Sequence, residues 1–192
     1  MDTPKVSNIL SIYNSASEHA LRTGLSWYSD AHATAKRLGG GREKHVARNA
    51  GIIAAMSPLM TWESNKQAAE RIVSSRGKAT EGIGLKANLK KANLIYSGAD
   101  PMDVLKGNKV IAFYQTILNP YGDIIPVIDR HAFDVAVGEV TSNARRNALA
   151  KNGVYHEFAS AYREAAIIAG IGSAQMQAVT WVSWRERKGV ID

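Results

Sequence analysis

IIPVIDRHAFDVAVG, residues 124–138, decides the fold class, because strand-forming residues gather nowhere else in the chain. Ile124, Ile125, Val127 and Ile128 are β-branched and suit a pleated strand. Pro126 stands among them, and a proline cannot donate to a ladder. One five-residue run without a partner is too little for a sheet. The run leads to Asp129, placed at the start of an apolar helix and followed by Arg130 and His131. Aspartate there reads as a helix N-cap. It also reads as a carboxylate held ready for chemistry, since a helix N-terminus favours the ionised form. The two readings are compatible.

Outward from this stretch the chain reads as helices punctuated by glycine and proline, so the class is all-α. Thr3-Pro4 suggests a cap with proline at the first helical position, and Gly24 reads as that helix's end. Trp27, Tyr28, Ala31, Ala35 and Leu38 share one face of the next helix, which runs over 26–38 to Gly39-Gly40-Gly41. "EKHVARNAGIIAAMS" is so apolar from Ala50 to Met56 that burial at the centre of the molecule is expected. Thr61 caps "WESNKQAAERIVSS", "KANLKKANLIYS" ends at Gly98, and Asp100-Pro101 starts a short turn. Asn108 reads as the cap of "KVIAFYQTILN". Helices over about 143–151, 154–169 and 174–187 complete the chain.

The 192 residues suit one domain, or two small lobes sharing a core. Hydrophobic residues at 45% and charged ones at 21% are an ordinary globular mix. There is no cysteine, which excludes disulfides, thiolate metal clusters and a cysteine nucleophile. A net charge of +7 points to a polyanionic partner, nucleic acid first. Val6, Ile9, Leu10 and Tyr13 keep helical rhythm rather than forming a leader's apolar core, and no run is long enough to span a membrane. A soluble, cytoplasmic protein is expected.

The five histidines (His19, His32, His45, His131 and His156) show no spacing that lets one helix present two of them to a metal, so no metal is expected. No G-x-S-x-G elbow is present. The pairs "GIGLK" (82–86) and "GIGSA" (170–174) lack the strand and third glycine of a dinucleotide site. Each reads as a helix C-cap followed by a fresh N-cap, or as backbone N–H groups facing a phosphate.

The order of segments adds information. "AGIIAAMSPLMTWESNKQAAERI" (50–72), "GLKANLKKANLI" (84–95), "MDVLKGNKVIAFYQTIL" (102–118) and "VIDRHAFDVAVG" (127–138) together resemble the helix-hairpin-helix base-excision DNA glycosylases of the endonuclease III type. The resemblance covers about residues 46–140. It implies a two-lobed helical domain with a cleft between lobes. The whole chain, 1–192, would be one helical domain with a glycosylase-like core over about 46–187 and helices within 4–38 packed on it. Asp129 matches the family's catalytic aspartate. Lys109 falls near the lysine that some members use as nucleophile, though it also reads as a surface or phosphate-binding lysine. Ser57 and Leu59 match the serine turn, Lys106, Gly107 and Asn108 the hairpin, and Trp62 and Arg130 flank these motifs as substrate or DNA contacts. Three departures stand out: the hairpin is two residues short with a single glycine, Leu59 replaces a frequent glutamine, and no cysteines remain for an iron–sulfur cluster. No cofactor is implied.

His131 lies about 200° around the helix from Asp129, so it reads as packing rather than chemistry. "TWVSWRERKG" (180–189) reads as a terminal amphipathic helix with a solvated basic face, or as a nucleic-acid surface. The function expected is N-glycosidic cleavage of a flipped or modified base in DNA. The compact, cysteine-free form is similar to glycosylase-related proteins of bacteriophages, for which the compartment is the host cytoplasm. Two alternatives stay open: a catalytically silent DNA-binding module of the same fold, and a phage protein that binds another protein.

Overall fold

The computed structural model describes residues 2–80 and 84–189, and among these every regular element is helical. In chain order they are α1 (Val6–Asn14), α2 (Glu18–Leu38), a 3₁₀ turn (Glu43–His45), α3 (Val46–Met56), α4 (Trp62–Ser74), α5 (Lys86–Tyr96), α6 (Pro101–Val104) and α7 (Asn108–Leu118). Then follow α8 (Arg130–Val137), α9 (Asn143–Arg146), a second 3₁₀ turn (Asn147–Ala150), α10 (Val154–Ala169) and α11 (Ser173–Arg187). Two compact units are formed: Met1–Tyr28 with Tyr121–Asp192, and Ser29–Pro120. The first part of α2 thus groups with α1 and the C-terminal helices. No single described helix is long and apolar enough to cross a membrane.

In the Ser29–Pro120 unit α3 is the central helix. Every residue from Asn49 to Met56 is buried, and α4, α5 and α7 pack around it. Burying Ile52, Ile53 and Met56 contributes about 2 kcal/mol each. Polar side chains tie the surrounding elements to backbone carbonyls. Asn49 Nδ2 donates to Ala35 O at 2.8 Å, and Asn65 Nδ2 donates to Ile53 O at 3.1 Å. Thr61 caps α4 as its sequence predicts, accepting from Ser64 N–H.

The other unit has a core of α1, α8, α10 and α11, with Phe133 and Phe158 stacked at 4.6 Å between centroids. Residues 124–128 form no regular element and pair with no strand among the described residues. Side chains take over their backbone bonds. Ile128 N–H donates to the Tyr155 hydroxyl at 2.9 Å, that hydroxyl donates to Pro126 O at 3.0 Å, and Ser173 Oγ donates to Ile124 O at 3.2 Å.

Four local expectations change. Thr3-Pro4 precedes the first helix without capping it. Lys5 is extended and its N–H donates to Ala136 O at 2.9 Å, so a tertiary bond sets where α1 begins. Gly24 does not end a helix but lies inside α2. Asn108 is the first residue of α7, not its cap; Gly107, at φ 88°, makes the turn and its carbonyl accepts from Ile111 N–H. α11 is buried over most of its surface, from Ala174 to Trp184, because α1, α8 and α10 all pack on it. The 170–174 glycine pair is a left-handed C-cap at Gly170 followed by an N-cap at Gly172. Gly82 and Ile83 of the other pair lie outside the described residues.

Gly24 lets α2 come close to α11: a Cβ built there would stand 2.4 Å from Val179 Cα. Gly24→Ala should therefore destabilise the protein by about 3 kcal/mol, because helix-axis separation outweighs the better helix propensity of alanine. Urea unfolding of the two proteins checks this. An alanine variant as stable as the parent would mean the helices do not pack this closely.

Candidate functional site

The site grows from the irregular run 124–128. Ile128 is fully buried and fixed through Tyr155, so the chain enters α8 at a defined angle. Asp129 keeps extended geometry and caps the helix. Its Oδ1 accepts from the backbone N–H groups of His131 and Ala132, both at 2.9 Å. Its Oδ2 accepts from the indole Nε1–H of Trp181 at 3.0 Å. A carboxylate oxygen has two acceptor positions. Among the described residues Oδ1 is therefore filled and Oδ2 retains one, on a half-buried side chain.

Aromatic rings gather about the indole that meets this carboxylate. Trp181 lies edge-on to Trp27 at 6.2 Å and to His131 at 6.3 Å, and Trp27 lies edge-on to Tyr28 at 4.9 Å. The Tyr28 hydroxyl donates to Gln177 Oε1 at 2.7 Å. Burial, reinforced by the Asp129 charge, pushes the phenols of Tyr28 and Tyr155 well up, so both stay neutral donors. Burial also pushes the His131 imidazole below its usual range, against the pull of Asp129. The Arg185 guanidinium covers Trp181 at 4.3 Å, and Arg130 Nε donates to His131 Nε2 at 3.2 Å. Trp181 thus joins Asp129 directly. His131 reaches it through its backbone, while its ring packs.

A second carboxylate lies further along the same helix. Asp134 is fully buried and accepts from Thr141 N–H (3.1 Å), Thr141 Oγ1 (2.6 Å), Arg146 Nε (3.0 Å) and Arg146 Nη2 (2.6 Å). Lys188 approaches at 3.4 Å. Burial alone would raise this carboxyl, but the bonds from Arg146 and Thr141 outweigh it and hold it below the usual carboxylate range. Asp134 binds α8 to α9 and to the end of α11; sequence reading passed over it. The available signal was a charged residue on the apolar face of "HAFDVAVG".

The remaining predicted site residues, except Arg130, belong to the Ser29–Pro120 unit. Ser57 ends α3, its Oγ donating to Ala54 O at 2.9 Å. Leu59 is 91% exposed at φ 64°, an apolar side chain presented at the tip of a strained turn. Trp62 opens α4, half-buried, with Lys66 5.9 Å from its ring centroid. Lys106, Gly107, Asn108 and Lys109 are exposed around the α6–α7 turn, which is anchored by buried Leu105. A Schiff-base lysine needs a desolvated pocket, and Lys109 is exposed on the first turn of α7. Arg130 is exposed beside Asp129. Among the described residues no three of His, Asp and Glu converge to hold a metal ion.

Residues 2–188 match DUF7178, a family of unknown function, and the chain belongs to it. No curated protein and no solved structure is significantly similar to the chain.

Two stability predictions follow from these bonds. Asp129→Asn keeps a capping oxygen but turns an amide N–H2 toward the Trp181 indole N–H, so either the cap or the indole loses its acceptor. A cost of about 1–3 kcal/mol is expected. In a Trp181→Phe background the same change should cost only a few tenths, about what an Asp-to-Asn cap exchange costs alone. A double-mutant cycle by urea unfolding reads the difference; additive effects would show that the indole bond does not form. Asp134→Asn should cost about 3 kcal/mol by leaving Arg146 facing a neutral partner. Because the folded carboxyl of Asp134 is depressed, its contribution is complete above about pH 4 and is lost as pH falls through the folded value. Melting curves taken from pH 6 to pH 2 should fall more steeply for the parent than for Asp134→Asn.

Proposed function

We propose that this protein processes bases in DNA as an N-glycosylase-like enzyme, with Asp129 acting beside the sugar of a flipped or modified base. The observation that carries the reading is the state of the Asp129 carboxylate: one oxygen filled by helix N–H groups, the other steadied by an indole and left with a free acceptor position. A carboxylate fixed in this way is what an oxocarbenium-like transition state requires, and it can equally orient water for attack. A flipped base needs flat apolar surfaces to replace its lost stacking, and Trp181, bonded to the carboxylate, has Trp27 and His131 edge-on to it as neighbouring rings. Arg130 and the surplus of +7 favour a phosphate-rich substrate.

Leu59 supports the same reading. Holding a leucine at positive φ costs about 1 kcal/mol or more, and exposing it forgoes burial. Apolar wedges of this kind enter base steps and hold them apart. The two-lobed glycosylase architecture, a phage origin and a cytoplasmic location belong to this proposal as well. Water is the nucleophile it favours, since Lys109 is exposed. A second reading, DNA binding without chemistry, is favoured by one observation: the Oδ1 of Asp129 is wholly occupied by capping.

Base release from modified DNA, including phage DNA, separates the two. Asp129→Asn is compared with the parent, and Asp129→Asn/Trp181→Phe with Trp181→Phe, so that the amide–indole conflict does not enter the second comparison. The enzymatic reading expects release to fall by at least about 10²-fold in each comparison, with DNA binding kept. Unchanged release in a folded Asp129→Asn protein would overturn Asp129's role. Binding without release from any modified DNA favours the silent module, and no binding at low salt removes nucleic acid as the partner.

A further inference from the structure

Within the Ser29–Pro120 unit, two adjoining cavities run along the junction between the end of α4 and α5. One, of about 430 Å³, lies against α5 and is lined by Lys86, Lys90, Asn93, Ser97, the apolar Leu89 and Leu94, and the turn at Ala79–Thr80. The other, also of about 430 Å³, lies against the end of α4 and is lined by Arg71, Ser74, Ser75, Lys78 and the same turn. The arrangement follows from helical spacing. Lys86, Lys90, Asn93 and Ser97 recur at intervals of four, three and four, which puts them on one face of α5. Asn93 Nδ2 donates to Ala79 O at 2.8 Å and thereby fixes the shared wall of both cavities.

The chemistry of the lining is one-sided. No described carboxylate lines either cavity, and among the described residues none of Lys78, Lys86 and Lys90 is paired with one. The serine hydroxyls are turned inward: Ser74 donates to Arg71 O, Ser75 to Ile72 O and Ser97 to Asn93 O. The lysine ammonium groups and the Arg71 guanidinium are therefore the main charged donors the trough offers, distributed along its length. Such a lining holds repeated negative charge and reads no base edge, the pattern of contacts to phosphates that position a strand without specifying sequence.

We propose that this trough is a phosphate-binding track for a nucleic-acid strand, with Lys78, Lys86 and Lys90 each facing backbone phosphates. It goes beyond the Asp129 reading, because it requires no chemistry at that residue and draws on a separate part of the fold.

The test uses the full chain and a fluorescein-labelled single-stranded oligodeoxynucleotide, followed by anisotropy at several salt concentrations. K78A/K86A/K90A is compared with K5A/K44A/K151A, which removes the same charge from exposed lysines elsewhere. The track predicts that the first triple lowers affinity at low salt on the order of tenfold or more. It should also flatten the slope of log K against log salt by about 2, near 0.7 for each of three phosphates. The control triple should change both much less. Equal losses in the two triples would overturn the track and leave general charge attraction. Competition by polyglutamate as effective as competition by an unlabelled oligonucleotide would overturn phosphate as the ligand. Inorganic pyrophosphate competing at micromolar concentration would overturn the strand in favour of a small phosphate ligand. Asp129→Asn should bind like the parent, so a failed track leaves base release untouched and a failed base release leaves the track standing.

Discussion

The hydroxyl of Tyr155 stands between the carbonyl of Pro126 and the amide of Ile128, and the arrangement of the candidate site depends on it. Residues 126–128 are buried and belong to no regular element, with no strand among the described residues to take up their backbone groups. A buried amide without an acceptor costs as much as a lost hydrogen bond or more. Tyr155 supplies one acceptor and one donor from α10 and makes the approach to α8 rigid. Asp129 then caps α8 at a fixed position, and Trp181 on α11 meets its free oxygen. Loosening the tyrosine would displace the cap and the indole bond together.

Two aspartates five residues apart on this segment show how surroundings assign different roles to one side chain. Asp129 is half-buried and keeps an acceptor position free. Asp134 is fully buried, its oxygens taken up by Thr141 and Arg146, with Lys188 close by. A buried carboxylate so compensated is structural: it cannot accept a substrate without giving up a partner. The chemical possibilities of α8 are therefore concentrated at its N-terminus, while its middle anchors the C-terminal helices.

Close backbone approach recurs as a construction device in both units. Gly24 lets α2 meet α11, and Gly51 lets α3 meet Pro101, where a Cβ would stand 2.7 Å from the proline ring. Both glycines lie inside helices, where the residue is unfavourable on propensity alone. From sequence, Gly24 looks like punctuation, since a glycine that ends a helix and one that admits a neighbour have the same local signature. Gly170 did read correctly as a helix-ending glycine, because its positive φ is a local property.

Periodicity and end signals, both local, were enough to establish the all-helical class, the central position of α3, the Thr61 and Asp129 caps and the absence of a sheet among the described residues. Local rules reach that far because a helix buries one stripe of its own side chains and stops at its own caps. The same rules made Asp129 a candidate without naming a partner for it. Trp181, fifty-two residues away, and the Asp134–Arg146 pair are absent from any such reading. So is the burial of α11, whose sequence looks amphipathic and basic. Those features arise only when helices distant in sequence pack together, because a hydrogen bond or an ion pair requires a particular separation in space, and spacing along the chain carries no information about it.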